Sequence, residues 1–169
     1  MDDLRYKPST TVAAIIEREG RFLLVEELTP EGLRLNNPAG HLDPGESLLQ
    51  ACVRETLEET AFAFTPEALV GIYLARVQMP DGPERPGGAD VSYMRFACCG
   101  SLGALDAERK LDTGIVRTLW LTPDEVRAST ALHRSPLVLQ CMEDYLAGRR
   151  YPLEVLHTHA SVYASAQGI

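Results

Sequence analysis

The chain lacks the features that mark membrane, secreted and thiolate-metal proteins. No apolar run approaches the roughly 18 residues of a membrane-spanning helix, and the first residues lack the apolar stretch of a signal peptide. The cysteines form no C-x-x-C pair, so neither a zinc site nor a redox motif is predicted. They are Cys52, Cys98, Cys99 and Cys141. We therefore expect a cytoplasmic protein with reduced thiols and no membrane partner.

Lysine is nearly absent, and the balance of charge is acidic. Lys7 and Lys110 are the only lysines, and the net charge is −8. This charge argues against binding to a nucleic-acid polymer, but a metal ion could still bridge the protein to a small phosphorylated ligand. A length of 169 residues with 45% apolar residues is ordinary for one globular domain. We expect a single domain over residues 1–155 and a C-terminal tail over residues 156–169.

The most informative segment is residues 40–62, GHLDPGESLLQACVRETLEETAF. Glu55, Glu58 and Glu59 stand at i, i+3 and i+4, so a helix places them on one face within an arc of about 100°. Like charges at this spacing repel, and no basic residue follows Glu55 or Glu58 at i+4 to relieve them. The pattern indicates either a solvated acidic face or a site for a hard cation. Mg²⁺ takes such carboxylate oxygens and also binds substrate phosphates.

A loop rich in glycine and proline precedes this helix. Residues 37–46 contain two glycines and two prolines, which fix a defined backbone path. The helix should begin at about Glu46 or Ser47, and a loop carbonyl could supply a further oxygen ligand. Loop and helix together favour a magnesium site for a phosphorylated ligand.

The same segment resembles the signature of a known family. The pattern G-x5-E-x7-R-E-x2-E-E is the Nudix box, and it is matched by Gly40, Glu46, Arg54, Glu55, Glu58 and Glu59. The resemblance implies an α/β fold, namely an α/β/α sandwich with a mixed sheet and a catalytic loop–helix. It also implies Mg²⁺-dependent hydrolysis of a small-molecule diphosphate, with Mn²⁺ as a substitute.

Two positions depart from the family pattern. Thr56 replaces an aliphatic residue, and Ala61 replaces a glycine. That glycine would end the helix in a left-handed conformation, which costs alanine about 1–2 kcal/mol. We therefore expect the helix to end differently here.

The resemblance also implies roles for individual residues. The carboxylates of Glu55, Glu58 and Glu59 would hold the metal with the carbonyl of Gly40, while Glu46 and Arg54 would orient them. The general base stays open between Glu55 and Asp112, because Gly114 stands where many members carry a further acid. The candidates for substrate binding are Arg34, Asn37, His41 and Tyr93.

Three further strings, at residues 36–42, 133–138 and 150–154, are similar to the NudJ subgroup of bacterial phosphatases. This similarity implies phosphate release from hydroxymethylpyrimidine pyrophosphate, thiamine pyrophosphate and nucleoside di- and triphosphates. A first alternative is a Nudix pyrophosphatase for ADP-ribose, a nucleotide sugar or an oxidised nucleotide. A second alternative is a non-catalytic nucleotide sensor. The oligomeric state is left open between monomer and homodimer.

Apolar patterning predicts the order of elements around the box. We expect a hairpin, a short strand, the box helix to about Thr60, three more strands and two helices that follow Thr122 and Ser135. Residues 80–90 form a long loop that either joins two strands or serves as a substrate lid. The strands are Thr10–Glu17 and Arg21–Glu27 in the hairpin, then Arg34–Asn37, Leu69–Met79, Val91–Leu102 and Ile115–Leu121.

Overall fold

Residues 6–79, 81–82 and 86–164 are described by the structure, which is a computed structural model. Within these ranges, eight strands and three α-helices follow one another. They are β1 Ser9–Ile15, β2 Glu17–Arg18, β3 Arg21–Thr29, β4 Gly32–Asn36, β5 Ala39–His41, α1 Leu48–Thr60, β6 Phe62–Met79, β7 Ala89–Leu105, β8 Ile115–Leu121, α2 Pro123–Ala128 and α3 Leu137–Leu146. Short 3-10 helices occur at Thr130–Leu132, Leu153–Val155 and Ala160–Val162. In this part of the chain no helix is long and apolar enough to cross a membrane.

The strands form two four-stranded sheets. The first has the order β5-β1-β7-β6, in which β1 and β7 are parallel and the other neighbours antiparallel. The second has the order β2-β3-β4, and β8 pairs with β3, all antiparallel. The expected mixed sheet is therefore confirmed.

Helices cover both faces of these sheets. Successive residues of a strand point to opposite faces, so neighbouring residues pack against different helices. Ile15 packs in one apolar cluster with Met142 of α3, whereas its neighbour Ala14 packs in a second cluster with Ala51 of α1. Fully burying an aliphatic side chain of this kind contributes about 1.5–3 kcal/mol. This arrangement confirms the α/β/α sandwich.

The box helix begins where the sequence predicts. The Ser47 hydroxyl accepts from the backbone N–H of Gln50 at 3.1 Å, and the Gln50 side chain accepts from the backbone N–H of Ser47 at 2.8 Å. Thr56, the polar residue at the family's aliphatic position, is fully buried, and its hydroxyl donates to the carbonyl of Cys52 at 2.8 Å. Its polar atom is therefore satisfied inside the core.

The expected alternative helix end is wrong. Ala61 adopts the left-handed conformation, with φ 60° and ψ 9°, and its N–H donates to the carbonyl of Leu57 at 2.9 Å. The chain must turn at once into β6, which starts at Phe62. This requirement outweighs the cost of about 1–2 kcal/mol for a left-handed alanine.

The predicted N-terminal hairpin is only partly correct. β1 pairs with β5 and β7 in the first sheet, while β3 lies in the second sheet. The hairpin partner of β3 is the two-residue strand β2, joined by the turn at Glu19 and Gly20. The position of the turn is thus predicted correctly, but β1 belongs to a different sheet from β3.

The remaining predicted elements are present with shifted bounds. β6 and β7 extend beyond the predicted strands, and α2 follows Thr122 as predicted, with a capping box between Thr122 and Glu125. α3 begins after Ser135, whose hydroxyl accepts from Leu137 N at 3.3 Å, and ends before Gly148. The predicted lid lies partly outside the described residues, at position 80 and positions 83–85.

Candidate active site

Arg54 lies at the centre of the acidic face of α1. Its Nε and Nη2 donate to Glu46 at 3.0 and 2.7 Å, and its Nη1 donates to Glu55 at 2.7 Å and to Glu58 at 3.0 Å. Nη2 also donates to the carbonyl of His41 at 2.9 Å, which ties the helix to the loop before it. The hydrogen bonds from Arg54 hold the pKa of Glu46 below its ordinary value. One guanidinium thus fixes three carboxylates.

Glu59 points away from this network and into the protein. The residue is 8% exposed, and its carboxylate accepts a hydrogen bond from the backbone N–H of Ala39 at 2.9 Å. Burial raises the pKa of Glu59 to about 8, and the neighbouring charge of Glu55 adds to the shift. Burial also raises the pKa of Glu55, against the opposing effect of Arg54. The two carboxylates are therefore more crowded with negative charge than Arg54 alone relieves.

Gly40 lies directly against the carboxyl group of Glu55. A Cβ added at Gly40 would stand 2.0–2.2 Å from the carboxyl atoms of Glu55, which is far inside van der Waals contact. Only glycine therefore leaves the Glu55 carboxylate where it is. Gly40 and the Glu55 carboxylate are thus adjacent, as they must be if both contribute to one site.

The residues at this site fit a hard divalent cation by their chemistry. Glu55, Glu58 and Glu59 offer carboxylate oxygens, and burial raises the pKa of Glu55 and Glu59, so both carboxylates are held where ionisation is costly without a nearby cation. Over residues 6–79, 81–82 and 86–164, no three His, Cys, Asp or Glu side chains already converge as a metal cage. Glu55 and Glu58 each contact Arg54 through one carboxylate oxygen, Glu55 Oε1 and Glu58 Oε2.

Asp112 comes close to the box helix from a distant loop. Its backbone N–H donates to the carbonyl of Glu58 at 3.0 Å, and its charge contributes to raising the pKa of Glu55 and Glu59. Gly114 lies two residues on, and its carbonyl accepts from Leu28 N at 2.8 Å. Asp112 is exposed. The choice of general base between Glu55 and Asp112 stays a prediction.

A cavity of about 610 Å³ opens beside the acidic face. Gly40, Glu55 and Glu59 border it on one side, and the rings of His41 and Tyr93 border it with centroids 6.3 Å apart. Its other walls carry arginines and small or aliphatic side chains, which are Arg34, Arg95, Arg134, Ala75, Val77, Met79 and Leu137. The volume suits a nucleotide-sized ligand.

Three of the four predicted substrate-binding residues line this cavity, namely Arg34, His41 and Tyr93. Asn37 does not line it: the residue is 2% exposed, and its side-chain oxygen accepts from Arg95 Nη1 at 3.5 Å. Of the metal candidates, Glu58 is likewise absent from the lining and pairs with Arg54 beside it.

The site includes residues that the sequence analysis did not assign. Thr11, Glu27, Arg95 and Arg134 all line the cavity. Arg95 alone had a local signal, because it lies two residues after Tyr93 on one strand and so shares its face. The others come from segments distant in sequence.

Comparison with known proteins identifies the family of this chain. The NUDIX domain matches residues 5–141, so the chain belongs to the Nudix hydrolase family. It is 32% identical to Phosphatase NudJ of Escherichia coli (strain K12) over 151 residues, which covers 89% of this chain and 92% of that protein. The resemblance read from the box and from the shorter strings is thereby confirmed.

Solved structures give the same result. A NUDIX hydrolase from Nitrosomonas europaea has a TM-score of 0.80 and 51% identity, covering 90% of this chain and 98% of that chain. A MutT NUDIX hydrolase from Burkholderia pseudomallei has a TM-score of 0.61 at 20% identity, covering 82% and 98%, and supports the fold alone. The protein is a Nudix hydrolase, an enzyme that acts on phosphoric anhydrides.

Proposed function

We propose that this enzyme is a Mg²⁺-dependent phosphohydrolase that releases orthophosphate from pyrimidine or nucleoside pyrophosphates. The proposed substrates are hydroxymethylpyrimidine pyrophosphate, thiamine pyrophosphate and nucleoside di- and triphosphates. The observation that carries the proposal is one cavity that joins a wall of carboxylates to a wall with aromatic and basic side chains. Similarity to a relative named Phosphatase NudJ supports release of a terminal phosphate.

The residues of α1 and of the loop before it would hold the cation. Glu55, Glu58 and Glu59 supply carboxylate oxygens, and Gly40 supplies its carbonyl, with Mn²⁺ as an alternative to Mg²⁺. A bound metal would polarise the phosphoryl oxygens and lower the pKa of an attacking water. Arg54 is already hydrogen-bonded to Glu55 and Glu58, so it limits where these carboxylates can turn.

The rest of the cavity would position the substrate. Arg34 is placed to contact the phosphates, and His41 and Tyr93 to flank the ring that carries them. Asn37 would act through Arg95, to which its side-chain oxygen is hydrogen-bonded, rather than by touching the substrate. Glu55 or Asp112 would accept the proton of the attacking water.

The test is orthophosphate release from the proposed substrates and from ADP-ribose, each with Mg²⁺ and with an EDTA control. Orthophosphate from the proposed substrates, abolished by EDTA, is the expected result. Nucleoside monophosphate from ADP-ribose alone would instead favour a pyrophosphatase. Nucleotide binding without turnover of any compound would favour a sensor.

Three properties of the molecule stay predictions from the sequence. These are a cytoplasmic location, a state of monomer or homodimer, and the absence of a nucleic-acid polymer among its partners. Light scattering coupled to size-exclusion chromatography measures the mass of the particle and so decides between one copy and two.

A further inference from the structure

Two buried polar groups on the floor of the cavity lack a partner. Thr11 and Arg95 are each 7% exposed, and both side chains line the cavity. Among the described residues, the buried side-chain atoms without a hydrogen-bond partner are Thr11 Oγ1, Arg95 Nε and Glu27 Oε1, and Glu27 Oε1 is ion-paired with Arg134 at 3.3 Å. Buried polar groups in native proteins are almost always hydrogen-bonded, so the two remaining atoms mark a place where a polar ligand atom can bind.

The two groups are neighbours in the first sheet. Thr11 of β1 is paired with Arg95 of β7 in the parallel register, so their side chains stand together on the same face. Tyr93 lies two residues earlier on β7, on that same face, opposite Ala75 of β6. The unpaired donors are thus flanked by an aromatic ring and a small apolar side chain, as the edge of a planar ligand requires.

The surrounding charges favour a neutral acceptor over a phosphate. The terminal nitrogens of Arg95 already contact the side-chain oxygens of Asn36 and Asn37, both at 3.5 Å. Burial lowers the pKa of Arg95, and the interaction with the Cys141 side chain and the charge of Glu27 act against that shift. A phosphate brought to Arg95 would face the Glu27 carboxylate, whereas a carbonyl oxygen or ring nitrogen would not be repelled in this way.

We propose that Arg95 and Thr11 are specificity-determining residues that recognise the nitrogen heterocycle of the substrate. Arg95 Nε donates to a carbonyl oxygen or ring nitrogen, the Thr11 hydroxyl makes a second hydrogen bond to the ring, and Tyr93 contacts its face. This role rests on the proposed function, since it takes the ring to be joined to phosphates that lie at Glu55 and Glu59. The ring of the substrate would then lie on the side of the cavity that β1 and β7 form.

The test uses probes without phosphate, so neither metal nor turnover is needed. Cytidine and 4-amino-5-hydroxymethyl-2-methylpyrimidine are titrated into ¹⁵N-labelled protein in EDTA, and the dissociation constants are read from amide shifts. Arg95→Met should weaken binding of the probe by about tenfold or more, as expected for a hydrogen bond from a charged group. Thr11→Val keeps the volume of the side chain and should weaken binding by about threefold to tenfold.

Matched variants control for structural effects. Thr10→Val changes the residue next to Thr11, on the opposite face of β1, and Arg117→Met changes an exposed arginine paired with Glu26 at 2.8 Å. Both should bind the probes as the unmodified protein does. Inorganic pyrophosphate has no ring, and with Mg²⁺ it should bind Arg95→Met and the unmodified protein equally.

Three results would overturn the proposal: no binding of either probe, unchanged binding in both variants, or an equal loss of affinity for pyrophosphate and the probes. If Arg95→Met fails to fold, as its amide spectrum would show, the affinity of Thr11→Val for the probes decides the test. Failure of the proposed function is a separate observation, because absence of orthophosphate release would leave the probe titrations unaffected.

Discussion

At the scale of the residue, the site depends on the space that Gly40 leaves for Glu55. In Gly40→Ala, the new methyl group must displace the Glu55 carboxylate, which is the flexible end of a side chain, so the fold should persist. We expect kcat to fall by about 100-fold, because misplacing a catalytic group by about 1 Å has that order of effect. Steady-state kinetics and thermal unfolding measure the two consequences.

Gly82→Ala is the matched control for this change, since an added Cβ there meets nothing within 4 Å. It should leave both kcat and the melting temperature as they are. Full activity in Gly40→Ala would show that the position of Glu55 does not matter for turnover.

Ala61 offers a second test at a single residue. Its left-handed backbone costs an alanine about 1–2 kcal/mol, part of which a glycine loses again through the greater freedom of the unfolded chain. Ala61→Gly should therefore raise the free energy of unfolding by about 0.5–1 kcal/mol. Ala51→Gly, in the interior of the same helix, should lower it by about 1 kcal/mol or more. Urea unfolding measures both, and a loss of stability in Ala61→Gly would contradict the argument.

These residues also show what a sequence can predict at this scale. The shared face of Glu55, Glu58 and Glu59 follows from spacing, since the helical period fixes which side chains lie together, whereas Gly40, Glu46 and Arg54 follow from the resemblance to the Nudix box. The conformation of Ala61 does not follow, because intrinsic preference opposes it and the adjacent start of β6 decides it. Thr11 and Arg95 become neighbours only when β1 and β7 pair, 84 positions apart in sequence.

At the scale of the element, α1 turns its acidic face to the cavity and its other face to the core. Glu58→Gln keeps the size of the side chain but removes one of the charges proposed to hold the divalent cation. We expect Mg²⁺-dependent turnover to fall by about 100-fold or more, since even partners of metal ligands are worth roughly 10–100-fold. Kinetics with varied Mg²⁺ and circular dichroism measure turnover and fold.

Glu143→Gln is the control for this variant, because Glu143 also lies on a helix and pairs with an arginine, Arg127, at 2.6 Å. It should retain turnover. Unchanged turnover in Glu58→Gln would remove Glu58 from the proposed metal site.

Elements were easier to predict than their partners. The capping signals around Ser47 and Thr122 are local, and both helices start there. The N-terminal hairpin shows the opposite case, since its turn at Gly20 is correct but β1 joins a different sheet from β3. Which sheet a strand joins depends on pairing with residues distant in sequence, and a local pattern of residues does not specify that pairing.

At the scale of the whole molecule, the cavity is a product of assembly. Thr11 and Arg95 come from the first sheet, Arg34 from the second, Glu55 from α1 and Leu137 from α3. No stretch of sequence contains this set, so the acidic wall and the predicted Arg34, His41 and Tyr93 could be named from sequence, whereas Thr11, Glu27 and Arg134 could not. The same assembly buries Glu59, which ties the stability of the fold to the protonation of its active site.

This link predicts how stability varies with pH in metal-free buffer. Burial raises the pKa of Glu59 from its ordinary 4.5 to about 8. Between these values the folded chain keeps a proton that the unfolded chain has released. The unfolded state thus binds fewer protons, and the free energy of unfolding falls as the pH rises through this window. Glu59→Gln cannot titrate, so its stability should fall less and exceed that of the unmodified protein at the upper end.

Urea unfolding in EDTA between about pH 5 and about pH 9 measures this difference. Glu108→Gln, at an exposed loop position, should follow the unmodified protein. In the proposed site, Mg²⁺ would bind the ionised Glu59 carboxylate and compete with the proton, so adding it should restore stability at high pH in the unmodified protein but less in Glu59→Gln. Parallel pH profiles for the unmodified protein and Glu59→Gln in EDTA would show that Glu59 ionises in the folded chain as readily as in the unfolded one. The buried carboxylate would then not be what couples folding to the metal.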